Sequence, residues 1–275
     1  MFVFSRLFEK KAPARHLLAV LLALGAAAAH AADGMSLAEA YKVISTRKLV
    51  DLSQSISPST PVWQGFGQAS FTTASDPKTY RPYSLEQDGF RTTYYSMVGQ
   101  YGTHVDPPAH FHAKGITMDR IPLKEMILPL VVIDITPLLA KDPNHALTVQ
   151  DIQAWEKKNG RVPAGAFAAL RTDMSKDWST NPERFKRHPF PAWSLAAVKF
   201  LFEQRNITAI GHESMDTDTT PTMESQKWVL EQGHYQIEVM AHLDEVPPTG
   251  ALIVVSWPKV ENGFGFPARA FAILP

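Results

Sequence analysis

The sequence predicts one α/β domain. Short runs rich in β-branched and aromatic residues alternate with segments of helical periodicity along the chain. The run 128–135 is almost continuously apolar, as a strand buried on both faces would be. No internal repeat, low-complexity tract or long linker interrupts the chain after its N-terminal segment. At 275 residues and 45% hydrophobic, it can bury the core of one domain of roughly 240 residues.

The elements follow in order. Ser36 caps a short helix, with Glu39 three residues on as its capping-box partner. Strands are expected at 48–52, 92–98 and 127–135. Thr148 opens a helix whose apolar stripe is Val149, Ile152 and Trp155 and which Gly160 closes. A strand at 166–171 precedes an inward-packing helix over 194–205, apolar at Leu195, Val198, Leu201 and Phe202. A strand at 207–211, a helix over 224–232 and strands at 235–239 and 251–257 complete the pattern. Pro- and Gly-rich stretches at 58–67, 76–83 and 261–267 read as surface or site-rim loops.

Composition sets the surroundings. Basic and acidic residues balance at 27 each, so no basic face is advertised and nucleic acid is not an expected partner. Arg6, Lys10, Lys11 and Arg15 precede an apolar run over 17–29 and the small-x-small site Ala29-His30-Ala31, the pattern of a secretory signal peptide. The run is shorter than the roughly 20 apolar residues of a membrane span. Cleavage after Ala31 is expected, giving a domain over 32–275, a net charge of about −3, a periplasmic address and no stable membrane association. Without cysteine, an exported chain must take its stability from its core.

Chemistry concentrates in Gln100-Tyr-Gly-Thr-His104-Val-Asp106-Pro-Pro-Ala-His110. A strand running in from 92–98 would set Gln100, His104 and Asp106 on one side, with Gly102 clearing space and Pro107-Pro108 ending the strand after Asp106. Imidazole nitrogen, carboxylate oxygen and amide oxygen together suit a divalent cation such as Zn or Mn, and thiolate sites are excluded. His110, just past the turn, is the natural general acid or base. Gly211-His-Glu-Ser214 is not a Gly-x-Ser-x-Gly nucleophile motif, and a serine mechanism carries little weight.

Gly102, Thr103, His104, Asp106, Pro108 and His110 resemble the His-x-Gly-Thr-His-x-Asp-x-Pro-x-His signature of the cyclase and kynurenine formamidase-like superfamily of metal-dependent hydrolases. The resemblance extends to the opening Leu49-Val-Asp-Leu-Ser, the loop ending at Trp63, Leu170-Arg-Thr172, and Ile210 to Asp216 in the place of a Gly-Ile-Asp-like segment. Gln100 and Gln226 stand where the family has ligand histidines, while Glu238 is kept. An amide oxygen is a weaker ligand than imidazole, so the resemblance implies one Zn or Mn ion, held by His104 and Asp106 with Gln100, Gln226 and Glu238 as the remaining candidates. Glu238 is a ligand, a residue beside the ligands, or a base; His212 and Glu213, at a strand end, suit places beside the ligands or facing substrate, with a hydrogen-bonded turn as the equal alternative, and Trp63 is expected against substrate. Phe66, Tyr94, Phe111 and Phe264 fall near the site-forming segments.

The fold implied is the single-domain swivelling β/β/α, cyclase-like kind, with a mixed, barrel-like sheet and flanking helices, and the resemblance implies a dimer or larger homo-oligomer. The two glutamines are similar to a branch containing isatin hydrolase and dienelactone hydrolase. The expected activity is therefore hydrolysis of a carbonyl C–N or C–O bond in a small cyclic or aromatic substrate. The alternatives are an arylformamidase acting on N-formylkynurenine and a non-catalytic periplasmic binding protein with a degenerate metal site.

Overall fold

The structure, a computed structural model, describes residues 34–186 and 188–275. The expected leader and its cleavage site lie outside the described residues. None of the described helices is long and apolar enough to cross a membrane. Helix Leu37–Ile44 belongs to a unit of its own ending at Thr46 and carries the expected capping box, Ser36 Oγ accepting from Glu39 N and Glu39 from Ser36 N.

Residues Arg47–Pro275 form the second unit. Its strands are β1 (Leu49–Asp51), β2 (Ser70–Thr73), β3 (Thr93–Ser96), β4 (His104–Asp106), β5 (Ile127–Asp134), β6 (Ala146–Leu147), β7 (Phe167–Arg171), β8 (Ala192–Trp193), β9 (Ala209–His212), β10 (Tyr235–Glu238), β11 (Ala251–Ser256), β12 (Phe266–Pro267) and β13 (Arg269–Ile273). Among the described residues, nine of them form one mixed sheet in the order β1-β13-β11-β5-β7-β9-β10-β4-β12. β5, β7, β9 and β10 run parallel and the flanking strands antiparallel.

The sheet is strongly curled, and its order shows why. β12 is the edge beside β4, while β13 lies next to the opposite edge, yet only Ala268 separates them in the chain. A flat sheet could not bring the two ends together. Leu52, just past β1, closes the curl by donating to Ala270 and accepting from Ala241, and Ser53 bridges Met240.

Strand alternation then sorts side chains into two cores. Val50, Val105, Leu130, Val132, Phe167, Ala169, Tyr235, Ile237 and Ile253 come from all round the sheet and fill the inside of the curl. The intervening Val131, Ile133, Ala168, Leu170 and Ile210 point outward under Ile152, Trp155, Val198, Leu201 and Val229 of the helices. Helix Val149–Asn159 begins after Thr148 and stops at Gly160 as expected, and its start is a capping box with Asp151 as the partner. The expected helix over 194–205 is α-helical over Leu195–Lys199 and widens to a π turn over Phe200–Gln204.

The expectation for 92–98 requires correction. β3 covers only Thr93–Ser96, pairs with β2 alone, and stops before the motif. His104–Asp106 is a separate strand entered through a loop in which Gly102 has φ 64°. The 261–267 loop ends in β12, and β13 was not read from the sequence because Arg269-Ala-Phe-Ala-Ile is short and weakly β-branched. Gly211 in β9 is required by close approach: a Cβ there would lie 2.5 Å from Met240 Sδ and 2.7 Å from the Phe167 ring. Gly211→Ala should lower stability by about 1–3 kcal/mol, the cost typical of overpacking, read as a fall in the thermal midpoint.

Candidate metal centre

The register of β10 against β4 builds the site. Glu238 lies opposite His104 and Gln236 opposite Asp106, all four on the outward face, while Val105 and Ile237 point into the curl. The face that carries apolar residues under the helices on β5, β7 and β9 is therefore polar on β4 and β10. His104, Asp106 and Glu238 are buried, and one ligand atom from each lies within 4.8 Å of the other two.

His104 has the form of a metal-ligating histidine. Its Nδ1 lies 2.8 Å from the Gly102 carbonyl and so must donate to it, which points Nε2 at the carboxylates. Nε2 stands 3.5 Å from Asp106 Oδ1 and 3.4 Å from Glu238 Oε2 and, among the described residues, makes no hydrogen bond. Burial opposes charge on this ring, but Asp106 and Glu238 outweigh it and hold its pKa up to about 10. Burial, reinforced by the charge of Asp106, pushes Glu238 up to about 8. Asp106 is held well below the usual carboxylate range, because His104 outweighs the cost of burial. The field thus draws positive charge to the point between the two carboxylates, and a nitrogen with two carboxylate oxygens is a donor set that fits a divalent cation.

Three carboxamides surround Asp106. Gln100 Nε2 donates to Oδ1 at 3.2 Å, and Gln226 and Gln236 donate to Oδ2 at 3.3 and 3.1 Å. Gln100 Nε2 also donates to the Phe264 carbonyl at 2.8 Å, a contact that an amide oxygen could not make. Gln100 and Gln226, expected to offer oxygens to a metal, are here hydrogen-bond donors to Asp106. Gln226 is positioned by the start of helix Glu224–Glu231, where Asp218 accepts from the Ser225 and Gln226 backbone N–H groups. Gln236, which also donates to Glu238 Oε1 at 2.8 Å, was missed in the sequence reading. Its signal was a polar residue two positions before Glu238, hence on the same strand face.

The other expected residues divide. Pro107 ends β4 as predicted, and the following turn brings His110 Nε2 to 3.9 Å from Asp106 Oδ1, with the ring a quarter exposed. His212 Nε2 lies 3.6 Å from Glu238 Oε1, and burial lowers its pKa to about 3, so it stays neutral. Glu213 lies just past the end of β9 and points elsewhere. It accepts from Thr172 and Asp173 backbone N–H groups and Ser175 Oγ, and none of these bonds touches the ligand set. Trp63, Phe66, Phe111 and Met215 line a cavity of about 190 Å³ that ends on the ligand cluster. Trp63 folds back over Gly65, where a Cβ would fall 1.6 Å from the indole. Tyr94, on β3, and Phe264, in the 261–267 loop, are exposed and are not part of this wall.

A family model described as "Putative cyclase" matches residues 50–219, more than half of the chain. The chain belongs to this cyclase family. It is 27% identical over 248 residues to an isatin hydrolase of Roseibium aggregatum, covering 83% of this chain and 92% of that one. Its fold is similar to that of isatin hydrolase A from Ralstonia solanacearum, at TM-score 0.76 and 28% identity, covering 89% and 99% of the two chains. Isatin hydrolase A from Labrenzia aggregata, solved with benzyl benzoate, matches at TM-score 0.76 and 26% identity over 86% and 98%. The cyclase-like fold with a mixed, curled sheet is thus the fold of this chain.

Replacing Gln236 by Leu removes an amide from both carboxylates. Zn or Mn binding, titrated calorimetrically on metal-free protein, should weaken about 10–100-fold, the usual effect of losing a group that orients a ligand. His104→Ala should abolish it.

Proposed function

We propose that this protein is a metal-dependent hydrolase that opens a cyclic amide or lactone of a small, ring-containing substrate. The observation that carries the reading is the buried His104 Nε2, held between Asp106 and Glu238 at the end of a cavity whose apolar wall includes Trp63, Phe66 and Phe111. Membership of the cyclase family and likeness to chains named isatin hydrolase support it. A bound Zn or Mn ion would supply a Lewis acid and lower the pKa of a coordinated water.

His104, Asp106 and Glu238 would hold that ion. The hydrogen bonding supports one ion and not two: Asp106 Oδ2 already accepts from two amides, so it offers little to a second cation, and Oδ1 is shared with Gln100. Glu238 Oε1 is likewise taken by Gln236, leaving Oε2 toward His104. His110 faces the cavity and is the proton donor to the departing nitrogen or oxygen, with its Nδ1 side against Gln100. Trp63, Phe66 and Phe111 hold the substrate ring and keep bulk water from the scissile carbonyl.

Export and self-association belong to the same proposal and rest on the leader and the family resemblance. Elemental analysis of the purified protein should find about one Zn or Mn per chain. His110→Ala should lose turnover of lactones and cyclic amides by about 100-fold or more while keeping the metal. Binding of small ring compounds that is indifferent to chelation would instead make the chain a periplasmic binding protein. Turnover restricted to N-formyl aryl amines would make it an arylformamidase.

A further inference from the structure

The polar groups lining the cavity are of two kinds. Gln100, His104, Asp106, His110, Gln226 and Glu238 belong to the ligand cluster or lie against it. Asp216 does not. It sits on the cavity wall among Met215, Trp63 and Val239, is 2% exposed, and is not one of the residues grouped around the candidate ion.

The carboxylate is firmly placed. His188 Nε2 meets Oδ2 at 3.1 Å, the Asp218 backbone N–H donates to Oδ1 at 3.2 Å, and Ser214 Oγ donates to the Asp216 carbonyl at 2.8 Å. The His188 ring rests on Phe190 with centroids 4.6 Å apart. With Nε2 carrying its proton, His188 donates to Asp216 whether the ring is neutral or charged, so Asp216 remains an acceptor. Each carboxylate oxygen accepts one bond from protein and retains capacity for another.

We propose that Asp216, positioned by His188, selects substrates that present an N–H to the cavity wall: cyclic amides or imides with a free N–H, ahead of lactones and N-alkylated amides. This deepens the hydrolase reading and rests on it. An ionised carboxylate has no donor to offer, so a lactone ring oxygen or carbonyl facing it gains nothing and is repelled. A substrate N–H satisfies it. Sites that hydrogen-bond a substrate N–H or O–H reject analogues lacking it far more strongly than apolar pockets reject an altered methylene, because the buried group is left unpaired.

The test compares one ring scaffold as the N–H cyclic amide, its N-methyl counterpart and the lactone, using metal-loaded protein. Steady-state kcat/KM and calorimetric binding are both measured. Wild type should favour the N–H amide over its N-methyl counterpart by roughly 100-fold or more. Asp216→Asn, which offers a donor as well as an acceptor, should reduce the amide-to-lactone ratio of kcat/KM at least about tenfold. His188→Ala should move the ratio in the same direction, and His188→Gln, which keeps a donor, should restore it. Wild-type discrimination below about threefold, or an equal loss on all three compounds in Asp216→Asn, would overturn the assignment. Absence of turnover on every compound would overturn the hydrolase reading instead. In that case, binding still decides on Asp216: preference for the N–H ring that disappears in Asp216→Asn supports it, and equal binding refutes it.

Discussion

Asp106 is a carboxylate with no solvent exposure, and the architecture around it follows from the cost of placing that charge there. An unpaired buried carboxylate would take up a proton or unfold its surroundings. Here three carboxamides and one imidazole meet it, each from a different part of the chain: Gln100 from the entry loop, His104 from the same strand, Gln226 from a helix start and Gln236 from the neighbouring strand. The three carboxamides, being neutral, fix the carboxylate's position without cancelling its charge. The site therefore keeps a net pull on a cation, which a shell of arginines or lysines would have removed.

The sheet's curl makes this convergence possible. Its inner face is filled by apolar side chains, so the strands are held from within and the outer face is free to carry function. Over β5, β7 and β9 that outer face is closed by helices; at β10 and β4 the same parity delivers Gln236, Glu238, His104 and Asp106. The chain leaves this face abruptly. Val239 has φ 57°, an uncommon conformation for a β-branched residue, and is pinned by Thr103 Oγ1 at its carbonyl and by its own N–H to Ser214. The sharp exit after Glu238 opens the cavity beside the ligands, where Val239 itself forms part of the wall.

Much of this was legible in residue order. Asp106-Pro-Pro ends a strand because proline cannot continue the ladder, and it does so here. Thr148 and Asp151 announce a helix start through reciprocal hydrogen bonds that involve only neighbours in sequence. Buried strands such as 127–134 are visible because both faces are apolar. The approach to the motif was misread because alternation was extended across 97–103, where Gly99 and Gly102 turn the chain. Gln236, His188 and Asp216 carry no local signature: each matters only for what it touches from far away in the chain.

The sequence by itself determined the α/β class, the helix caps, the strand-ending prolines and the gathering of His104, Asp106 and His110 in one short motif, since each depends on side-chain type and on spacings of two to four residues. Tertiary structure alone decided that Glu238 faces His104, that the glutamines offer nitrogen and not oxygen to Asp106, and that Glu213 lies away from the ligands while Asp216 joins the cavity. Strand register and amide orientation are set by hydrogen bonds between segments more than a hundred residues apart, such as Gln226 and Gln236 to Asp106, and such contacts leave no periodicity to read.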